Sequence, residues 1–310
     1  MGSIIRFTWD YRQLVMSYVI RNLNCAYNRG PIVLKINNID IPPGEVVFFI
    51  GASGVGKSTI LETLGLMNNT ISEEKDSIFE YQHSINSPKE NFLKIWSKSE
   101  NYIADFRKRN LSFIFQNTNL FSTLNAEINA ILPSLLGEKS VIESKNIANP
   151  IFKKLFTSRE CNEILNNKPI FEMSGCQRQR LAFVRAISTD YNVLFADEPT
   201  GNLDWFNANN LMSYLILDVK DKKSTAIIVS HSIPLAITHA DKIILIDKIK
   251  NESSSDSEPN FFGLISDDQT YKKNSDGKWY NMHDFNNGKN ELIDSICLEK
   301  EFKSKISKKI

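Results

Sequence analysis

Apolar residues in this chain come in short unbroken runs. Val46-Val47-Phe48-Phe49-Ile50 is one, Val193-Leu194-Phe195-Ala196 another, and residues 226–229 and 243–246 repeat the pattern. Runs this short, bounded by polar or turn-forming residues, read as strands buried on both faces. Residues 32–36 and 111–115 read as two further strands, and Pro42-Pro43-Gly44 as a turn. Helical patterning lies between them. It covers residues 57–67 behind a glycine-rich loop, 116–171 with no clear strand, and 177–188. Apolar strands alternating with helices predict an α/β fold whose sheet is parallel and covered on both sides.

Two stretches break the pattern. Residues 68–110 are polar and read as irregular, and the Ser-rich segment 251–260 reads as a linker. The tail beyond it carries Phe261, Phe262, Tyr271, Trp279, Tyr280 and Phe285, too many aromatics for simple disorder. The expected division is an N-terminal extension over 1–20, a main domain over 21–250, and a linker with a C-terminal extension over 251–310.

Composition narrows the classes. The chain has 310 residues, of which 42% are hydrophobic and 24% charged, so wholesale disorder and fibrous repeats are excluded. With 37 basic and 36 acidic residues the net charge is +1, which gives no electrostatic case for nucleic acid. The four cysteines are Cys25, Cys161, Cys176 and Cys297, scattered and without a CxxC pair. That spacing fits neither a disulfide framework nor a zinc site, and a reducing cytosol is expected. The first 20 residues lack a signal-peptide pattern, and no run approaches the roughly 20 apolar residues of a membrane span.

The chemistry begins at Gly51-Ala52-Ser53-Gly54-Val55-Gly56-Lys57-Ser58, which fits G-x-x-x-x-G-K-[ST] between a strand and a helix. The glycines let backbone N–H groups turn toward phosphate oxygens, and the helix points its positive end at the same place. The candidate phosphate-binding stretch is Gly51, Ala52, Ser53, Gly54, Val55, Gly56, Lys57, Ser58 and Thr59. Lys57 reaches the β- and γ-phosphates, and the Ser58 hydroxyl is a hard ligand suited to Mg²⁺. The strand at 193–196 ends in Asp197-Glu198. Neighbours on a strand point to opposite sides, so Asp197 is the candidate Mg²⁺ partner and Glu198 the group that polarises water.

With these in place, other segments resemble the ABC ATPases. Met173-Ser174-Gly175-Cys176-Gln177-Arg178-Gln179-Arg180 is similar to their LSGGQ-x-x-R signature. Glu198-Pro199-Thr200-Gly201-Asn202-Leu203-Asp204 resembles their D-loop region, in the Gly-Asn form of the lipoprotein-release, macrolide-export and cell-division subgroup. Phe115-Gln116 looks like the Q-loop, Ser230-His231 the H-loop, and Tyr27 the aromatic that stacks on adenine. The agreement in order and spacing covers about residues 21–248.

The resemblance implies a P-loop NTPase (RecA-like) α/β core with a mixed sheet and an inserted helical subdomain at about 117–185. It implies ATP and Mg²⁺ as ligands and hydrolysis to ADP and phosphate. Glu198, His231 and Gln116 would be catalytic, and Ser58, Gln116 and Asp197 would hold the metal. Ser174, Gly175, Gln177 and Asp204 would meet the nucleotide of a second, head-to-tail nucleotide-binding subunit, and Tyr27 the adenine. A separate integral-membrane permease would be the partner, so that the chain would be cytoplasmic and peripheral on the membrane. The alternative is a membrane-tethered ATPase of cell division or envelope remodelling that moves no solute. Cys176 departs from the second signature glycine and Met173 from its leucine, the stretch 68–110 looks inserted, and the tail after 250 matches no part of the family.

Overall fold

In the computed structural model the described residues are 17–28, 30–165, 168–201, 203–251, 261–289 and 291–307. The chain enters through an antiparallel pair, β1 (Tyr18–Ala26) and β2 (Ile32–Ile41), then β3 (Val46–Ile50). After α1 (Lys57–Leu64) come β4 (Ile71–Tyr81), β5 (Glu90–Asn91), a 3-10 turn at Phe92–Ser97, α2 (Glu100–Asn110) and β6 (Leu111–Ile114). Four helices follow: α3 (Ala126–Leu136), α4 (Val141–Leu155), α5 (Ser158–Leu165) and α6 (Gly175–Ile187). Next are β7 (Val193–Asp197), α7 (Trp205–Asp221), β8 (Thr225–Val229), α8 (Ile233–His239), β9 (Lys242–Leu245) and β10 (Asp247–Lys250). The last elements are β11 (Phe261–Ile265), β12 (Thr270–Lys273), β13 (Trp279–Asn281), α9 (Met282–Asn286) and α10 (Ser295–Ser307).

Among the described residues these strands make two sheets. One runs β13-β12-β9-β3-β8-β7-β6, with β9, β3, β8, β7 and β6 parallel. The other runs β10-β11-β2-β1-β4-β5 and is mostly antiparallel. The short apolar runs now have their physical reason. Val46, Phe48 and Ile50 face one core with α3, α4, α6, α7 and α8. Val47 and Phe49 face a second core between the two sheets, where Ile60, Leu61 and Leu64 of α1 pack. A strand with both faces buried has no polar alternation to display.

Three expectations are corrected. Residues 68–110 are ordered: β4 pairs with β1, with a register shift at Arg21/Leu23, and buries Phe79 and Tyr81 in an aromatic cluster with Tyr18, Phe92 and Phe106. The polar residues there belong to a strand near a sheet edge and to an exposed helix face, which made the segment look irregular. The main domain begins before residue 21, because Tyr18 and Ile20 are fully buried in β1. The rest of the proposed N-terminal extension and most of the linker, 252–260, lie outside the described residues. The tail is not a separate unit. β11 pairs in parallel with β2, β12 pairs with β9, and Leu298 and Phe302 of α10 are fully buried in the larger core. Tyr271, Trp279 and Phe302 serve that core, Phe302 meeting Tyr271 edge-on at 4.9 Å, while Phe261 and Phe285 are exposed.

Candidate functional site

The strand order creates the site. β3, β8, β7 and β6 are consecutive and parallel, so the chain leaving each of their C-terminal ends emerges along one rim. The phosphate loop leaves β3, Ser230-His231 leaves β8, Asp197-Glu198 ends β7, and Gln116 follows β6. Together they line a cleft of about 390 Å³ that includes Ser53, Gly54, Gly56, Lys57, Ser58, Thr59, Gln116, Asp197, Glu198 and His231.

The loop is shaped for an anion. Gly54 and Gly56 hold left-handed backbone at φ +76 and +91, a conformation a side chain would strain. Gly56 also begins α1, and no side chain caps that helix. Ser99, Asn125, Ser140, Ser174, Asp204 and Ser232 cap α2, α3, α4, α6, α7 and α8 with side-chain oxygens. The N–H groups of the first turn of α1 are therefore left for something in the cleft. Lys57 is buried and donates to the loop's own carbonyls, Gly51 O at 3.1 Å and Ala52 O at 2.7 Å. Burial draws its pKa below the ordinary lysine value, and the Glu198 and Asp197 carboxylates oppose that.

The acids sit opposite. The Ser58 hydroxyl donates to Asp197 Oδ2 at 3.3 Å, which brings two hard oxygens side by side. Burial raises the pKa of Asp197, with Ser58 and Lys57 pulling it back. Glu198 has left-handed backbone, φ +44, and its N–H donates to Val229 O at 3.0 Å. Its Oε2 accepts the His231 backbone N–H at 3.1 Å, while Oε1 is buried without a hydrogen bond. His231 Nε2 lies 3.2 Å from that Oε1. Burial lowers the His231 pKa and Lys57 adds to it. Burial also raises Glu198. Among the described residues no cluster of three His, Cys, Asp or Glu side chains could hold a metal alone. Ser58 and Asp197 instead bring together two hard oxygens of the kind that would hold Mg²⁺ beside a bound phosphate.

The remaining expected residues stand apart from this cleft. Tyr27 is half-exposed, and its hydroxyl donates to Glu62 Oε2 at 2.6 Å and Thr59 Oγ1 at 3.2 Å, which ties the ring to α1. Ser174 and Gln177 form a reciprocal capping box at the start of α6. The Ser174 oxygen accepts from Gln177 N–H, which leaves its own proton to donate. A Cβ on Gly175 would meet nothing within 4 Å, so this corner is open, and Cys176 beside it is exposed. Asp204 is exposed and caps α7, and the Asn207 amides hold its pKa low. Asn202 lies outside the described residues.

The sequence reading missed the ties that join these parts, and all start on α6. Arg185 is buried and donates to Thr118 O and Asn119 O, just after Gln116. Gln179 donates to Pro199 O, just after Glu198. Arg180 makes a two-pronged ion pair with Glu160 of α5 and stacks on Phe156. Buried polar residues on an otherwise apolar helix face were the available signal.

Comparison with known proteins agrees with this geometry. The ABC transporter family model matches residues 34–201. The lipoprotein-releasing system ATP-binding protein LolD of Cytophaga hutchinsonii is 31% identical over 222 residues, 70% of this chain and 91% of that protein. The macrolide export ATP-binding/permease protein MacB of Haemophilus ducreyi is 32% identical over 230 residues, 73% of this chain and 30% of that protein. Among solved structures, a dimeric post-hydrolysis ATP-binding cassette bound to ADP and Pi superposes with a TM-score of 0.59 at 26% identity, covering 74% of this chain and 93% of that one. Fold, cleft and relatives agree, and this chain belongs to the ABC transporter ATP-binding family, in the subgroup of the LolD and MacB proteins.

Proposed function

We propose that the chain hydrolyses ATP to ADP and phosphate as one half of a head-to-tail dimer and thereby drives a separate membrane permease. One observation carries the reading. Lys57, Ser58, Gln116, Asp197, Glu198 and His231 share a single cleft, while the signature corner at Ser174–Cys176 is exposed and lines no part of it. A signature segment that does not reach its own phosphate loop can serve the loop of a second copy. The solved dimer with ADP and Pi is a precedent for such pairing.

In this reading the phosphate-loop N–H groups and Lys57 hold the β- and γ-phosphates, and Tyr27 stacks on adenine. Ser58, Asp197 and Gln116 would hold Mg²⁺, which neutralises charge developing on the phosphate oxygens. Glu198 accepts a hydrogen bond from the attacking water through its buried Oε1. His231 donates to the γ-phosphate. Ser174, Gly175 and Gln177 complete the partner's site, with Asp204 at the boundary. The chain contributes positioning and charge stabilisation. Among the described residues no helix is long and apolar enough to cross a membrane, and the permease is proposed as a separate polypeptide. The roles of the relatives LolD and MacB in lipoprotein release and macrolide export support an export-type partner. It would dock near Gln116 and the α3–α6 helices.

Glu198→Gln tests the reading. The variant is expected to bind ATP, to lose at least a hundredfold in turnover, and to run as a dimer on size exclusion with ATP. Full turnover in that variant would remove Glu198 from the water-activating role.

A further inference from the structure

The phosphate loop lies directly on the segment after residue 260. β11 pairs with β2, with Gly263 opposite Leu34. A Cβ placed on Gly263 would stand 2.0 Å from the Val55 carbonyl oxygen, 2.9 Å from Ile246 Cγ2 and 3.0 Å from Leu34 Cδ1. Val55 belongs to the phosphate loop and is buried. Its carbonyl thus packs onto the bare backbone of β11. The next residue sits the same way on β2, since a Cβ on Gly56 would lie 3.3 Å from Leu34 Cβ and 3.4 Å from Val33 O. At the loop's start, a Cβ on Gly51 would lie 2.9 Å from Ile246 O.

The contact at Gly263 bears on binding because of peptide planarity. The Val55 carbonyl and the Gly56 N–H belong to one rigid unit. Whatever fixes the carbonyl also aims the N–H, and that N–H is one of the donors turned toward phosphate. We propose that Gly263 is a positioning residue for the phosphate loop, and that β11 is the bed against which the Val55–Gly56 peptide is set. The C-terminal segment is then a working part of the nucleotide site. This deepens the ATP-binding reading and rests on it.

The test compares Gly263→Ala with Leu264→Ala, a neighbour in the same strand, by titration with a fluorescent ATP analogue and Mg²⁺ and by thermal unfolding without nucleotide. A methyl at 2.0 Å from a backbone oxygen forces loop and strand apart. Gly263→Ala is expected to lose at least tenfold in nucleotide affinity, while Leu264→Ala lowers the unfolding temperature and keeps its affinity. A folded Gly263→Ala that binds nucleotide like the unchanged chain overturns the proposal. Amide hydrogen exchange on the unchanged chain decides the matter if Gly263→Ala does not fold. Saturating Mg²⁺ and non-hydrolysable ATP analogue should slow exchange in peptides covering 261–265 as well as 51–58, and slowing confined to 51–58 overturns it. If the unchanged chain binds no nucleotide, the ATP-binding reading itself fails, and this proposal falls with it.

Discussion

Replacing Glu160 with glutamine would remove the charge that holds the signature helix to its neighbour. Arg180 of α6 donates to both Glu160 oxygens at 2.6 and 3.1 Å, and the two side chains are only 24% and 21% exposed. Desolvation pushes the Glu160 carboxyl up, but the Arg180 guanidinium, the Thr157 N–H and Gln177 overcome it, and its pKa falls from 4.5 to about 2. A fall of about 2.5 units at 1.36 kcal/mol per unit bounds the contribution near 3 kcal/mol. Partial exposure screens some of that, so about 2 kcal/mol is expected at pH 7. The sign follows from a depressed carboxylate. The stabilisation is complete above 4.5, the unfolded value, and is lost as pH falls toward about 2. Urea unfolding of the unchanged chain and Glu160→Gln from pH 7 to pH 3.5 measures it. The gap between them should shrink by about 1 kcal/mol between pH 4.5 and pH 3.5, where the unfolded carboxyl is itself only partly ionised. A gap below about 0.5 kcal/mol at pH 7, the level of an exposed pair, or one that does not change with pH, refutes the reasoning.

Three further outcomes are expected. Phe302→Ala removes a fully buried ring from the larger core and should cost about 3–5 kcal/mol in chemical unfolding, whereas an independent tail would leave the main transition unmoved. Because burial raises the Glu198 pKa above 4.5, turnover should begin to fall on acidification at a higher pH than an exposed glutamate would give, and a steady-state rate that stays flat down to pH 4.5 would contradict that. Cys176→Gly restores the backbone freedom usual at that signature position and should raise turnover if the thiol holds the corner away from a partner's phosphate, while unchanged kinetics would discard the idea of a brake.

Legibility in the sequence followed the range of the physics. The phosphate loop, Asp197 and Glu198 were readable because each depends on a few adjacent residues attached to a buried strand. The helical region was readable because its period is local. The order β9-β3-β8-β7-β6, which brings Gln116 and His231 beside the loop, is a matter of long-range pairing and entered only through family resemblance. β4 was hidden because its apolar alternation is confined to Phe79 and Tyr81 at one end. The tail was hidden for a different reason. β11 joins β2 more than 200 residues earlier, as with Gly263 and Leu34, and β12 extends the other sheet at β9, so no local pattern announces the partners.

The placement of Glu198 shows how the fold and the chemistry constrain one another. β7 is the neighbour of β8, and the Glu198 N–H still donates to Val229 O as though the strand continued. The chain must nevertheless turn at once, because Gly201 N–H closes back on the Glu198 carbonyl at 3.2 Å. The turn is taken in left-handed backbone at a glutamate, at a cost of order 1–3 kcal/mol. Glycine would remove that strain and asparagine would reduce it, yet neither places a carboxylate beside His231. The strain is sustained because both sides of the turn are fixed, by the β8 ladder before it and by Gln179 of the signature helix on Pro199 after it. The carboxylate that can meet water is therefore held by the same helix that carries the signature corner. In the proposed dimer, movement of α6 as a second copy closes on that corner would reach the turn after Glu198 through Gln179 and the segment after Gln116 through Arg185, a direct route from assembly to chemistry.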